Sequence, residues 1–179
     1  MPTIHETKDK EEMWNYQPTC DLFLTTTNST LNKSGELVMG RGHAYQVKHR
    51  LPWFATLAGY TLSQIWYKCS LRTGPKRLIT TPKGTIYPGY GMIPKIAVYC
   101  NIGLFQVKRG WWEKGGNPQD QRTMLGAIRS STYDLSIYAE SGKEIHMPFP
   151  GIGNGELEES LVWDIVKDLP DNVNMWKLL

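Results

Sequence analysis

Asp21-Leu22-Phe23-Leu24-Thr25-Thr26-Thr27 runs straight into Asn28-Ser29-Thr30. A second loop, Asn32-Lys33-Ser34-Gly35, leads to Val38-Met39-Gly40-Arg41-Gly42-His43-Ala44 and then Tyr45-Gln46-Val47-Lys48-His49-Arg50-Leu51. The first run is rich in residues that suit a pleated surface, and the Asn-Ser-Thr after it are turn formers. The last piece has helical composition, and Pro52 stops it because the residue before a proline is pushed out of the helical region. Strand, glycine-bearing loop and helix in that order are the building unit of an α/β fold.

The unit recurs towards the C-terminus. Glu144-Ile145-His146-Met147-Pro148 reads as a brief strand, and Pro150-Gly151-Ile152-Gly153-Asn154-Gly155 as a glycine loop. Leu157, Leu161, Val162, Ile165, Val166 and Leu169 then mark an amphipathic helix that Pro170 ends, with Asn172–Trp176 as a closing strand. Between the two units, Ile96–Cys100 and Leu104–Lys108 read as strands around Asn101-Ile102-Gly103. Met124, Leu125, Ile128, Leu135 and Tyr138 form one stripe of a helix over Gln121–Ala139, with Gly142 as its stop. Residues 53–95 show no clear period. The first nineteen residues carry six charges and little apolar pattern, which predicts a loose N-terminal arm over 1–20 and one domain over 21–179, with an insertion within 60–95. Alternating strands and helices imply layers, with ligands at the carboxyl ends of strands.

The 179 residues suit a single domain. A hydrophobic share of 40% and a charged share of 21% are ordinary globular values and exclude a disordered tail or a coiled coil. No apolar run approaches the roughly 20 residues of a membrane span, and the N-terminus is too polar for a signal peptide. Cys20, Cys69 and Cys100 are far apart and show no CxxC spacing, so a reduced, cytoplasmic chain without a metal or other cofactor is expected. The net charge of +3 hides an asymmetry. No acidic residue stands between Glu36 and Glu113, an interval that holds Arg41, Lys48, Arg50, Lys68, Arg72, Lys76, Arg77, Lys83, Lys95, Lys108 and Arg109. From Glu140 onwards the sign reverses. Such a middle region favours an anionic partner, and equally fits a solvated basic face balanced by an acidic helix.

Glycine lets a backbone approach a ligand closely and lets successive N–H groups converge on an oxygen. Two such loops before helices, on neighbouring strands, suit a diphosphate gripped from both sides. Tight turns without a ligand would use the same residues. Neither loop is a Walker A sequence, and neither fits GxGxxG with a following acid.

Thr26-Thr27-Asn28-Ser29-Thr30-Leu31, Lys33-Ser34-Gly35 and Val38–Gln46 together resemble the first binding loop of macrodomain proteins. The likeness is to the branch with ADP-ribose-1″-phosphate phosphatases and lysine-dependent ADP-ribosyl glutamate hydrolases. Val107-Lys108-Arg109 matches that branch's mid-chain V-K-[RH] element, and Pro150–Leu157 its late P-G-x-G-x-G-x-L loop. The resemblance covers roughly residues 21–176, with the motifs in the family's order. It implies a three-layer α/β/α sandwich with a mixed central sheet, and ADP-ribose or a derivative as ligand. It implies that Asn28 approaches the distal ribose, and that Gly40, Arg41, Gly42 and His43 wrap that ribose and the diphosphate. Gly151, Ile152, Gly153, Asn154 and Gly155 would form the opposite phosphate loop, with Asp21 as a candidate adenine contact. The sequence departs from the branch in two places. His43 stands where an aliphatic residue is common, and Glu156-Leu157-Glu158-Glu159 puts extra residues before Trp163 where G-L-D-W is usual. The lysine's carboxylate partner is therefore open between Glu156 and Glu158.

Three function classes follow. In a hydrolase, Lys108 attacks the anomeric carbon of the opened ribose, in its neutral form, with burial and Arg109 lowering its pKa. Alternatively, water removes a 1″-phosphate with His43 or Glu156 as base. In a binder without turnover, the loops hold an ADP-ribose-derived signal and residues 60–95 cover it as a lid. A single-stranded nucleic-acid module, suggested by basic residues interleaved with aromatics, ranks third because the net charge is small and no RNP or KH signature is present.

Overall fold

The computed structural model describes residues 1–74 and 77–179, so Lys76 of the basic interval lies outside the described residues. The strands are β1 (Thr3–Thr7), β2 (Leu22–Thr27), β3 (Thr30–Leu31), β4 (Ile79–Thr81), β5 (Gly84–Ile86), β6 (Met92–Ile93), β7 (Ile102–Gln106), β8 (Ile145–Pro148) and β9 (Val173–Leu178). The helices are α1 (Gly42–Arg50), α2 (Phe54–Thr73), α3 (Pro118–Ala139) and α4 (Glu159–Val166). Six strands form the central sheet in the order β1-β9-β8-β2-β7-β6. All its pairings are parallel except β6 against β7, so the sheet is mixed. A small antiparallel sheet, β3-β5-β4, stands beside it.

Alternation along the strands divides the core between the two faces. Phe23, Ile102 and Leu104 pack with Val47 of α1 and with Phe54 and Ala58 of α2. Leu22, Leu24, Phe105, Ile145 and Met175 pack with Met124 and Ile128 of α3 and with Val162 and Val166 of α4. Successive side chains of a strand point to opposite faces, so Leu22-Phe23-Leu24 feeds both layers at once. A parallel sheet covered on both sides needs such continuous apolar runs. The result is the expected three-layer α/β/α sandwich with a mixed central sheet.

Three segments differ from the sequence expectation. The first nineteen residues are not loose: β1 pairs in parallel with β9, and a 3-10 turn over Glu12–Tyr16 buries Met13 and Trp14. Polar residues serve on an edge strand because only one flank is paired, which is why charge density misleads there. Ile96–Cys100 is a tight turn between β6 and β7, closed by a Cys100 N–H to Ala97 O bond of 3.2 Å, with Val98 and Tyr99 exposed. Its β-favouring composition is overridden by the hairpin connection. Phe54–Thr73 is a helix of 20 residues whose buried side, Phe54, Ala55, Ala58, Gly59 and Leu62, occupies only its first half. The second half is only partly buried, which blurs the period.

α3 begins earlier than its apolar stripe. Asn117 caps it, accepting from the N–H groups of Gln119 at 2.9 Å and Asp120 at 3.1 Å, and Pro118 supplies the first turn. Among the described residues, no helix is long and apolar enough to cross a membrane.

Candidate functional site

β8, β2 and β7 are consecutive in the sheet and parallel, so their carboxyl ends deliver three loops to one place. In chain order these are residues 28–41, 107–117 and 149–158. The first and second are stitched together. Ser29 N–H donates to Arg109 O at 3.1 Å, Thr30 Oγ1 donates to the same oxygen at 2.9 Å, and Val107 N–H donates to Thr27 O at 2.9 Å. Asn28 is buried, and its amide serves its own loop: Nδ2 donates to Val38 O and Oδ1 accepts from Thr30 N–H, both at 2.8 Å. It therefore shapes the first loop from within.

The first and third loops meet across the top of the sheet. Gly42 has φ of +61°, a left-handed conformation that favours glycine, and a Cβ built on it would lie 2.9 Å from Asn154 Nδ2. Gly40, Arg41, Gly153 and Asn154 are all exposed on either side of this contact. The late loop is wound tightly: Leu157 N–H donates to Gly151 O at 3.2 Å, and Glu156 N–H to Gly153 O at 3.0 Å. Gly155 is buried, its notional Cβ only 2.3 Å from Gly151 O, and Ile152 packs partly against the α3/α4 core. Gly115 N–H donates to Gly155 O at 2.7 Å, and Lys114 forms an ion pair with Glu156 Oε1, so residues 107–117 are joined to this loop as well. Glu156 itself has φ of +56°, unusual for a residue with a side chain.

Lys108 follows β7 and is half-buried. Its amino group donates to Trp111 O at 3.3 Å and to Glu113 O at 3.4 Å. Burial lowers its pKa first, and the neighbouring charge of Lys114 lowers it further. Glu113 and Glu156 oppose this, and Arg41 adds to it. Lys108 is thus within electrostatic reach of all three loops. The cation beside it is Lys114, then Arg41, in place of the Arg109 expected from sequence adjacency.

Two sequence candidates stand apart. His43 opens α1, but its ring packs inward, 5.1 Å from the Trp14 ring and 5.3 Å from Phe23, with Nδ1 at 3.0 Å from Thr25 Oγ1. Burial pushes its pKa down to about 3, and Nε2 has no hydrogen-bond partner among the described residues. A ring so placed is neither exposed to a ligand nor basic enough to take a proton, so the base role expected of it fails. Asp21 precedes β2, and a strand of six residues advances roughly 20 Å. Its carboxylate accepts from Glu144 N–H at 2.9 Å at the amino end of the sheet, away from the loops, so it is not an adenine contact there. Glu158 is the exposed N-terminal flank of α4, whereas Glu156, after Glu113, is a carboxylate near enough to act on the Lys108 charge.

Glu113, Lys114 and Tyr90 were missed. The Tyr90 hydroxyl bonds Thr27 Oγ1 and donates to Asn28 O at 3.3 Å, bracing the first loop from residues 84–92. Glu113 is buried and accepts from Arg109 N–H at 2.6 Å and Gly110 N–H at 3.0 Å. The run Lys114-Gly115-Gly116-Asn117-Pro118 was visible as a loop, but only the fold brings its lysine to Lys108. Two surface cavities, of about 400 Å³ between α3 and α4 and about 260 Å³ at the amino end of β7, lie elsewhere.

No family model matches the sequence, and no curated protein does. Solved structures do. The macrodomain of Mycobacterium tuberculosis DarG superposes with a TM-score of 0.51 at 19% identity, over 99% of this chain and 97% of that one. This chain has the macrodomain fold. A second macrodomain, from Oceanobacillus iheyensis with MES bound, gives a TM-score of 0.50 at 11% identity over 98% of this chain and 82% of that one. Thermosipho africanus DarTG, solved in complex with ADP-ribose, gives 0.54 at 19% identity over 98% of this chain and 41% of that one. At these identities the likeness establishes the macrodomain fold, and the site is argued from its own residues.

Proposed function

We propose that this macrodomain binds ADP-ribose or a derivative between residues 40–42 and 151–155 and hydrolyses a group on the distal ribose. The observation that carries the reading is the meeting of Gly42 with Asn154, with the Lys108 amine in electrostatic reach of both loops. Two exposed backbone segments face each other there, each before a helix, and Arg41 supplies a cation beside them. A relative in fold, DarTG of Thermosipho africanus, is solved with ADP-ribose.

Lys108 is the proposed nucleophile. A neutral amine has two N–H donors and one lone pair. Its two carbonyl partners, on Trp111 and Glu113, take both donors and leave the lone pair for carbon. Burial and the nearby cations favour that neutral form. The amine displaces the substituent at C1″, which leaves with its bonding electron pair; the bond from C1″ to the ring oxygen then breaks as the amine gives up its protons to form an imine, and water hydrolyses the imine to ADP-ribose and the free lysine. Glu156 is the carboxylate placed to move a proton near the lysine.

A non-catalytic binder is the second reading. Its support is the Lys114–Glu156 ion pair, which occupies the carboxylate that turnover needs.

Isothermal titration with ADP-ribose tests binding, and time courses with ADP-ribose-1″-phosphate and an ADP-ribosylated glutamate peptide test turnover. Turnover lost in Lys108→Ala with ADP-ribose affinity retained supports the hydrolase. Tight binding with no product supports the binder. No heat of binding to ADP-ribose overturns both.

A further inference from the structure

We infer that Glu113 is the positioning residue for Lys108: its buried carboxylate folds residues 109–113 into the turn whose carbonyls hold the lysine amine. This rests on the reading of Lys108 as a nucleophile. A single oxygen, Oε2, accepts from the N–H groups of both Arg109 and Gly110, and Glu113 N–H closes back on Gly110 O at 3.3 Å. The ring of Trp112 packs over Gly110, where a Cβ would come within 2.8 Å of it. With the turn closed, the carbonyls of Trp111 and Glu113 face Lys108 Nζ. Among the described residues Lys108 donates to two backbone carbonyls, so the path of its backbone neighbours decides where the amine sits.

A carboxylate is a costly choice for a structural staple. Removing an ionised group from water is unfavourable unless its partners restore what hydration gave, and two backbone N–H groups restore only part. An amide oxygen at the same place could accept both bonds. What the charge adds is a field on Lys108, opposing the depression caused by burial and by Lys114. Glu113 therefore does two separable things. Its acceptor oxygen sets the position of the amine, and its charge raises the pH at which the amine becomes free, against burial and Lys114.

The separation makes the inference testable by reductive trapping. Free ADP-ribose opens to an aldehyde at C1″. The Lys108 amine condenses with it, losing water, and hydride from added cyanoborohydride reduces the imine carbon to leave a stable secondary amine. The adduct rate on Lys108, read by peptide mass spectrometry against pH, is compared in the wild type, Glu113→Gln, Glu113→Ala and Lys108→Ala. The expected result is an adduct on Lys108 that is absent in Lys108→Ala. Glu113→Gln keeps the plateau rate within about threefold, because its amide oxygen still accepts both N–H groups, and shifts the rising limb to lower pH. Glu113→Ala slows the plateau by about tenfold or more, because the turn opens and the amine wanders. A trapping rate and pH limb unchanged from wild type in both Glu113 variants would overturn the inference and leave the Lys108 reading intact. Equal loss in Gln and Ala with no shift of the limb would also overturn it, since a mere staple behaves so. No adduct on Lys108 in the wild type removes the reading of Lys108 as a nucleophile and the inference together.

Discussion

Asn154 lies against Gly42, close enough that a methyl group on Gly42 would sit 2.9 Å from its amide nitrogen. One residue comes from the loop after β8 and the other from the first turn of α1, 112 positions away in the chain. Gly42→Ala tests what this contact does. Its left-handed φ costs an alanine about 1 kcal/mol, and the exposed Asn154 amide moves aside at little further cost. The expected loss of stability is therefore modest, while ADP-ribose affinity falls by about tenfold, because the added methyl fills the space between the loops. Titration calorimetry with a parallel melting curve checks it. Adding Asn154→Ala relieves the steric part and leaves the affinity low.

Gly153 and Gly155 are two residues apart and respond oppositely. A side chain on Gly153 meets nothing within 4 Å, so Gly153→Glu leaves the melting temperature unchanged and abolishes ADP-ribose binding by charge and bulk. On Gly155 a methyl meets Gly151 O at 2.3 Å and Met124 Cε at 2.7 Å. Gly155→Ala therefore shifts the loop, weakens the Gly115 N–H to Gly155 O bond, and costs about 1–3 kcal/mol. A Gly155→Ala protein that melts with the wild type would show that the loop is looser than its hydrogen bonds indicate.

The sandwich was legible because its decisive strands are short-range facts. Leu22-Phe23-Leu24 and the stripe Met124, Ile128, Leu135 carry their own period, and glycine or proline punctuates them. β1 and α2 were not legible, since one is a polar edge strand and the other buries only half its length. Of the candidate site, the two glycine segments and Lys108, named from local sequence and resemblance, are brought near one another by the fold. Glu113 could not be named from sequence, because its role is to accept N–H groups that any chain possesses. His43 illustrates the converse. Its place beside Gly42 suggested chemistry, but the first turn of a helix presents successive residues to different sides, and position 43 faces Trp14 and Phe23.

A buried histidine, His146, tests how the N-terminal strand is held. Trp176 Nε1 donates to His146 Nδ1 at 2.9 Å, which places the neutral ring's proton on Nε2, 2.9 Å from Glu144 Oε1. His5 of β1 stacks on Trp176 at 4.3 Å, and Tyr16 on His146 at 4.5 Å. Trp176→Phe leaves a buried ring nitrogen without its donor, a loss of about 1–3 kcal/mol at pH 8. That nitrogen is then free to take a proton, so the gap to wild type narrows as the pH falls. Urea midpoints at pH 8 and 5.5 measure the gap, and a constant gap would show that the hydrogen bond does not set the ring's protonation.

His43 predicts an acid limb to stability with no counterpart in activity. Burial lowers its folded pKa to about 3, against an ordinary value of 6.5, with no charged partner contributing. Below pH 6.5 the unfolded chain binds a proton that the folded chain refuses, so stability rises with pH through this window and is lost as pH falls through it. Each pH unit between about 6 and 3 then removes at most about 1.4 kcal/mol. His146, whose pKa burial also lowers against the opposing pull of Glu144, adds to the upper part of the same window. His43→Leu replaces the ring by an apolar side chain of similar reach and forfeits the bond to Thr25 and the ring contacts with Trp14 and Phe23. Urea midpoints between pH 7.5 and 4.5 should fall less steeply in this variant than in the wild type. Its titration with ADP-ribose and its turnover at pH 7.5 should stay within about threefold, because the ring is neither exposed to the loops nor charged. A loss of turnover with binding intact would return His43 to the chemistry and contradict its inward placement.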